Sequence, residues 1–327
     1  MRRVTPALVG CLCLTLFASA TALGARETRA TVATATSAQL AASARGITPE
    51  ARSAAKRHFV ETQASSGRLV DASAVEVGSV DGVTFAWDAG ITPPEITVRT
   101  VTDVATGETA SQQIEATTSD TDTPERAQPL GGAGMGSIVT TAGSAALLNA
   151  ACLLGTAPNG KMTWCYERFK VTTEYDATRD YYVSNRYSYT EGNTWTGFYD
   201  WRTSFNRIRT DPHPSYPGRV VGLGGFSPNS ATQNCASSFG SLSVGAFSFN
   251  IPWGQCTITA PEPNAAAPYS MGVYYQGPVG SPRTRGLDFA AVFRTPQGGA
   301  APVFLYTNQA QFCNPGVAGC TGGTWTN

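Results

Sequence analysis

Histidine and lysine are scarce in this chain: it holds two of the first and three of the second among 327 residues. With only His58 and His213, histidine-based metal centres and nucleophile–histidine–acid triads have little to draw on. No Gly-x-Ser-x-Gly elbow marks a hydrolase nucleophile, and no Cys-x-x-Cys pair marks a zinc knuckle. Lysine and arginine together balance aspartate and glutamate at 23 each, so no basic field suggests nucleic acid. Apolar runs stay shorter than the ~20 residues that a spanning helix needs. Residues 25–127 hold three aromatics, Phe59, Phe85 and Trp87, against 28 in residues 128–327. That difference divides the chain into two differently built regions. No internal repeat is visible.

What is present begins with an export signal. Arg2 and Arg3 precede the apolar run Ala7 to Ala22, and Ala22-Leu23-Gly24 offers a small-x-small cleavage site before Ala25. Residues 1–24 are therefore expected to be a signal peptide and the protein to be secreted. Six of the eight cysteines, Cys152, Cys165, Cys235, Cys256, Cys313 and Cys320, lie in the last 176 residues. An even set in an exported chain reads as a disulfide framework. Nearest-neighbour pairing gives Cys152–Cys165, Cys235–Cys256 and Cys313–Cys320. An excess of arginine over lysine, with abundant alanine and glycine, is common in GC-rich bacterial genomes.

The periodicity predicts a mostly β protein. Residues 25–46, rich in Ala, Thr and Ser, read as a disordered leader. Residues 47–115 read as a small α+β region, a candidate pro-region. There Thr48 caps a helix that opens at Pro49 and presents Ala51, Ala54, Ala55, Phe59 and Thr62 as one stripe. Residues 116–136 have linker composition. Leu130 to Gly160 carries no charge, and its centre reads as a buried element leading into Cys152. Residues 137–327 read as an antiparallel β-sandwich or jelly roll with three disulfides. Its clearest signal is a hairpin in which Cys165, Phe169 and Val171, then Tyr181, Val183, Tyr187 and Tyr189, form the buried face. Tyr166, Arg168, Lys170, Ser184, Arg186 and Ser188 alternate with them and read as the solvent face.

Several residues could carry chemistry. Glu174, Asp176 and Asp180 loosely resemble the Glu-x-Asp-x-x-Glu strand motif of jelly-roll glycoside hydrolases, which would imply paired carboxylates on one strand face. The third acid here comes one residue late, which breaks that parity and makes a charged hairpin end the simpler explanation. Glu167, Glu191 and Asp200 are further acids of the β-region, and Asp211-Pro-His213-Pro reads as a rigid turn. Trp195, Tyr199 and Trp201 share a strand face and could stack on sugar rings; the same parity points core-ward in the preceding strands. No metal or cofactor is implied. The expectation is a non-catalytic extracellular binding domain whose partner could be carbohydrate or a cell-wall surface. The alternatives are a glycosidase-like hydrolase made with a pro-region, and a membrane-active toxin.

Overall fold

The computed structural model describes residues 27–65, 68–120, 139–140, 145–172, 176–194, 200–227, 232–234, 239–244, 247–252, 257–263, 269–276 and 283–317. The described residues begin with β1 (Thr28–Ala35), α1 (Ser37–Ser43) and α2 (Pro49–Ser65). Strands β2 (Val75–Val80), β3 (Val83–Asp88), β4 (Glu95–Asp103), β5 (Thr109–Ser119) and β6 (Val139–Thr140) follow. Next come β7 (Ala145–Ala157), β8 (Gly160–Val171), β9 (Arg179–Gly192), β10 (Arg202–Pro212) and β11 (Gly222–Ser227). The remainder is β12 (Thr232–Asn234), β13 (Phe239–Val244), β14 (Phe247–Pro252), β15 (Thr257–Pro263), β16 (Met271–Gln276), β17 (Thr284–Pro296) and β18 (Phe304–Cys313).

These strands build two large antiparallel sheets in a sandwich-like arrangement. The first runs β1-β4-β5-β18-β10-β16-β15-β12 and the second β11-β17-β9-β8-β7-β3-β2; β13-β14-β6 form a small third sheet. One core between the large sheets draws on both halves of the chain. It joins Phe85, Trp87, Ile96 and Ile114 to Trp164, Phe289, Phe304 and Phe312. β5 pairs along β18, and β3 pairs along β7.

Local signals set many of these elements. The Thr48 hydroxyl accepts from Ala51 N at 3.2 Å, the cap expected at the start of α2. Asp81 and Gly82 both take positive φ, 47° and 76°, as the two-residue turn between β2 and β3 requires. Between β8 and β9 the polar hairpin falls where alternation placed it, Lys161↔Glu191 through Lys170↔Tyr182. The element expected to lead into Cys152, a strand or a helix, is the strand β7, half-buried at its start and buried from Ala151 to Gly155; the partner of Cys152 across the ladder is Cys165. That disulfide is formed. Cys313 is disulfide-bonded as well, but Cys320, like Cys235 and Cys256, lies outside the described residues.

Three expectations need revision. Residues 28–35, read as part of a disordered leader, form β1, because tertiary pairing with β4 supplies the hydrogen bonds that composition did not suggest. The inward line of α2 runs through Ala55, Phe59 and Gln63, while Ala51 and Ala54 are exposed. The linker reading began inside β5, and Asp120 just beyond it is buried; residues 121–136 lie outside the described residues.

The largest difference concerns the hairpin faces. The outer face of β8 and β9 is partly buried, and the face read as solvent-exposed is the more deeply buried one, turned toward the other sheet. Tyr166, Arg168, Ser184, Arg186 and Ser188 lie inside the sandwich. Phe169, Val171 and Val183 cluster with Ala290 and Val292 on the outer face. Farther along that face, Phe59 of α2 covers Val75, Val77, Ala86 and the disulfide. Period two fixes that the faces differ, not which of them meets the second sheet.

Candidate functional site

Between the sheets runs a buried polar layer. Arg186, 1% exposed, donates to the Arg209 carbonyl and to Asn308 Oδ1 across the gap, and to the Cys165 carbonyl at 3.4 Å. Its guanidinium lies 4.7 Å from the centre of the Tyr306 ring, which stacks on Tyr166 at 3.9 Å. Burial brings the Arg186 pKa down to about 10, so it remains a cation at neutral pH. Nearby, Arg168 Nη1 donates to Asp120 Oδ2 at 2.7 Å, and Asp120 also accepts from Phe304 N and the Tyr306 hydroxyl. Burial pushes the Asp120 carboxyl up to about 6 against the opposing pull of Arg168. Ser184 meets Thr210, and Ser188 donates to Asn206. These groups pair with one another across the sheets, a structural role, although the buried Arg168 Nε and Asn206 Nδ2 have no hydrogen-bond partner among the described residues. Such a layer fixes the sheets in one relative register because each mismatch would strand a buried polar group.

An open groove offers more for a ligand. It lies where α1 and α2 flank β2, an edge of the second sheet, and has a volume of about 370 Å³. Arg52 and Lys56, four residues apart on α2 and so on one helix face, form one wall. Ser73 and exposed Glu76 lie on the strand side, and Val77 and Trp87 are buried beneath. Arg52 Nη2 donates to the Ala44 carbonyl and Lys56 Nζ to the Ala72 carbonyl at 3.2 Å, which holds both cations at the rim. The buried Nε atoms of Arg52 and Trp87 have no hydrogen-bond partner among the described residues. α1 is seated against β2 by a close fit: a Cβ on Gly78 would meet the Leu40 carbonyl oxygen at 2.5 Å. Ser43 also accepts from Ser79 N at 2.8 Å. The groove thus sets the two cations of α2 across from Ser73 and Glu76.

A second acid stands out on the outer face of β8. Glu167 Oε2 accepts from Asn185 Nδ2 at 3.0 Å, and burial pushes its carboxyl up to about 7. Close by, Arg68 makes a bidentate pair with Asp88, at 2.7 and 3.1 Å, and also donates to the Ala150 carbonyl. Asp88 in turn accepts from Cys152 N at 2.8 Å, so this pair ties β3 to the disulfide-bearing strand.

Among the described residues, those singled out from sequence do not converge. Glu174, Trp195 and Tyr199 lie outside the described residues. Asp176 accepts from Thr178 N, the Thr178 hydroxyl and the Tyr181 hydroxyl; these bonds hold its carboxyl down at about 2. Asp180 accepts from Lys170 and from Gly298 N. Both acids therefore order the turn that enters β9. Glu191 sits near the far end of the 14-residue β9, roughly 36 Å along the strand from Asp180, paired with Arg283 at 2.7 Å. Asp200 precedes β10 at that same far end. His213 follows β10 at the opposite end, where its Nδ1 accepts from Ser215 N and its ring lies 5.2 Å from Tyr216. Trp201, 6% exposed, belongs to the inter-sheet core rather than to an exposed platform.

The groove was missed because its parts are local to nothing: two helical cations, a strand acid and a tryptophan from the next strand. The four-residue spacing of Arg52 and Lys56 was the one available hint. Among the described residues, no three His, Cys, Asp or Glu side chains gather as a metal site would need. No described helix is long and apolar enough to cross a membrane. No protein-family model matches the chain, and no curated protein or solved structure matches it either.

Proposed function

We propose that this is a secreted, non-catalytic binding protein that holds an acidic polysaccharide of a cell surface in the groove beside β2. The observation that carries the reading is the pair Arg52 and Lys56, held at the rim above Trp87 and Val77. Two cations on one helix face suit a polymer that offers carboxylate and hydroxyl oxygens to the donors. The Cys152–Cys165 bridge supports an oxidising compartment, and with it cleavage of residues 1–24 on export. Pairings 235–256 and 313–320 complete the framework in this reading.

Residues 25–127 are retained in the working protein. Their removal would strip β5 from β18 and β3 from β7, and take Ile96, Ile114 and Trp87 out of the shared core. Intact mass of the protein recovered from culture medium tests this; a product beginning near residue 128 would refute it.

Native electrophoresis through gels containing an acidic polysaccharide, beside gels containing a neutral one, tests the groove. Retardation is expected in the acidic gel and its loss in an Arg52→Gln/Lys56→Gln double variant. Equal retardation of the variant, or none of the wild type, would overturn the assignment. A hydrolytic reading has one observation in its favour, the Glu167 carboxyl protonating near neutrality. It requires Glu167→Gln to abolish release of reducing ends from a polysaccharide that the wild type degrades.

A further inference from the structure

Strand β1 ends the first sheet, and its outer edge has no neighbour among the described residues. Glu27 O accepts from Val104 N, which fixes the ladder: odd-numbered residues of β1 bond to β4, and even-numbered residues turn their backbone groups outward. Thr28, Ala30, Val32 and Thr34 therefore present four N–H and four C=O groups along an exposed edge. Their side chains lie on the outer face, where Val32 is 62% exposed. Ala33 and Ala35, of the other parity, pack on the core. Natural sheets blunt such edges with prolines, bulges or several charges. β1 has no proline, pairs with β4 without a register shift, and carries Arg29 as its one charge.

We propose that β1 pairs with β1 of a second copy of this chain, antiparallel about a two-fold axis at Thr31, joining two eight-stranded sheets into one. The sequence is self-complementary in this register. Thr28 faces Thr34 of the partner and Ala30 faces Val32, so every outward group finds a mate and the exposed valine is covered. Arg29 faces an alanine, with no like charge opposite. Shifting the axis to residue 30 or 32 pushes one end of the pairing beyond Thr28 or Ala35 and leaves outward groups unmatched. This pairing is independent of the groove, which lies beside β2 in the other sheet.

The test uses the full chain. Sedimentation velocity across rising protein concentration is expected to show a monomer–dimer equilibrium. Val32→Pro removes an outward N–H that β4 does not use and is expected to shift the equilibrium to monomer, as is Val32→Lys, which places two cations diagonally across the junction. Register is read by cross-linking. Thr31→Cys puts two thiols at a directly opposed, non-hydrogen-bonded pair, where Cα atoms lie ~4.5 Å apart, within disulfide reach. Thr34→Cys puts them six residues apart along the strands, roughly 20 Å. Mild oxidation is expected to yield a covalent dimer at least tenfold more efficiently for Thr31→Cys than for Thr34→Cys. A monomer at every concentration, a dimer indifferent to both Val32 variants, or equal cross-linking of the two cysteine variants would overturn the proposal.

Discussion

The two faces of the β8–β9 hairpin are both covered to a large degree, yet they are built from different materials. The outer face carries an aliphatic and aromatic patch, Phe169, Val171 and Val183 with Ala290 and Val292, beside the Glu167–Asn185 pair. The inner face, which meets the other sheet, holds Arg168, Ser184, Arg186 and Ser188 between stretches of tryptophan and phenylalanine. An apolar face tolerates small slides because dispersion contacts are non-directional, whereas a hydrogen-bonded layer has one good arrangement. The outer face supplies burial; the inner face supplies register.

The first way to break this contrast is at Asp120. Asp120→Ala leaves Arg168 and the Tyr306 hydroxyl without their shared acceptor inside the sandwich. About 3–5 kcal/mol of stability should be lost, read from the urea midpoint, because a buried charge is left unpaired. A loss below about 1 kcal/mol would mean that water reaches Arg168 and the layer is not closed. Next is the disulfide that faces outward under Phe59. A Cys152→Ser/Cys165→Ser variant opens a 13-residue separation and should lose about 2–3 kcal/mol with the sheet pairing intact. Disruption of β7–β8 amide protection would show that the bridge, rather than the ladder, holds these strands together.

The pH response separates the buried acids from the acid of the turn by sign. Glu167 and Asp120 have carboxyls pushed up to about 7 and about 6, so the folded chain binds their protons more tightly than the unfolded chain does. Stability should therefore rise as pH falls from about 7 toward about 4.5, by a few kcal/mol at most. Asp176 acts in the opposite sense: its lowered pKa stabilises the fold above the ordinary carboxylate range, and that contribution fades only as pH drops toward 2. Melting temperatures across pH 4.5–7.5 check this, and Glu167→Gln should flatten the upper part of the slope. An unchanged slope in that variant would remove Glu167 from the explanation. The smallest effect is at Ser188, which donates to Asn206 Oδ1 at 2.8 Å. Ser188→Ala should lose about 1–2 kcal/mol by stranding a buried acceptor.

Much of this architecture could be read from the sequence, within limits set by physics. Alternation located β8 and β9, Thr48-Pro49 located the start of α2, and neighbour spacing paired Cys152 with Cys165. The inward face could not be read because Arg186 looks like any solvated arginine until Asn308, 122 residues away, stands opposite it. β1 was hidden by its Ala and Thr content, since its order comes from β4 rather than from large side chains of its own. The groove was hidden because Arg52 and Lys56 meet Glu76 and Trp87 only through the fold.

Whether the polar face of the hairpin meets the other sheet is measured most directly by a double-mutant cycle between Arg186 and Asn308. Arg186→Met, Asn308→Ala and the combined variant would be compared by urea unfolding. A coupling of about 1.5–3 kcal/mol is expected for a buried hydrogen bond from a charged donor. Additive losses, with no coupling between the two residues, would contradict an inward Arg186 and return the hairpin to the opposite facing.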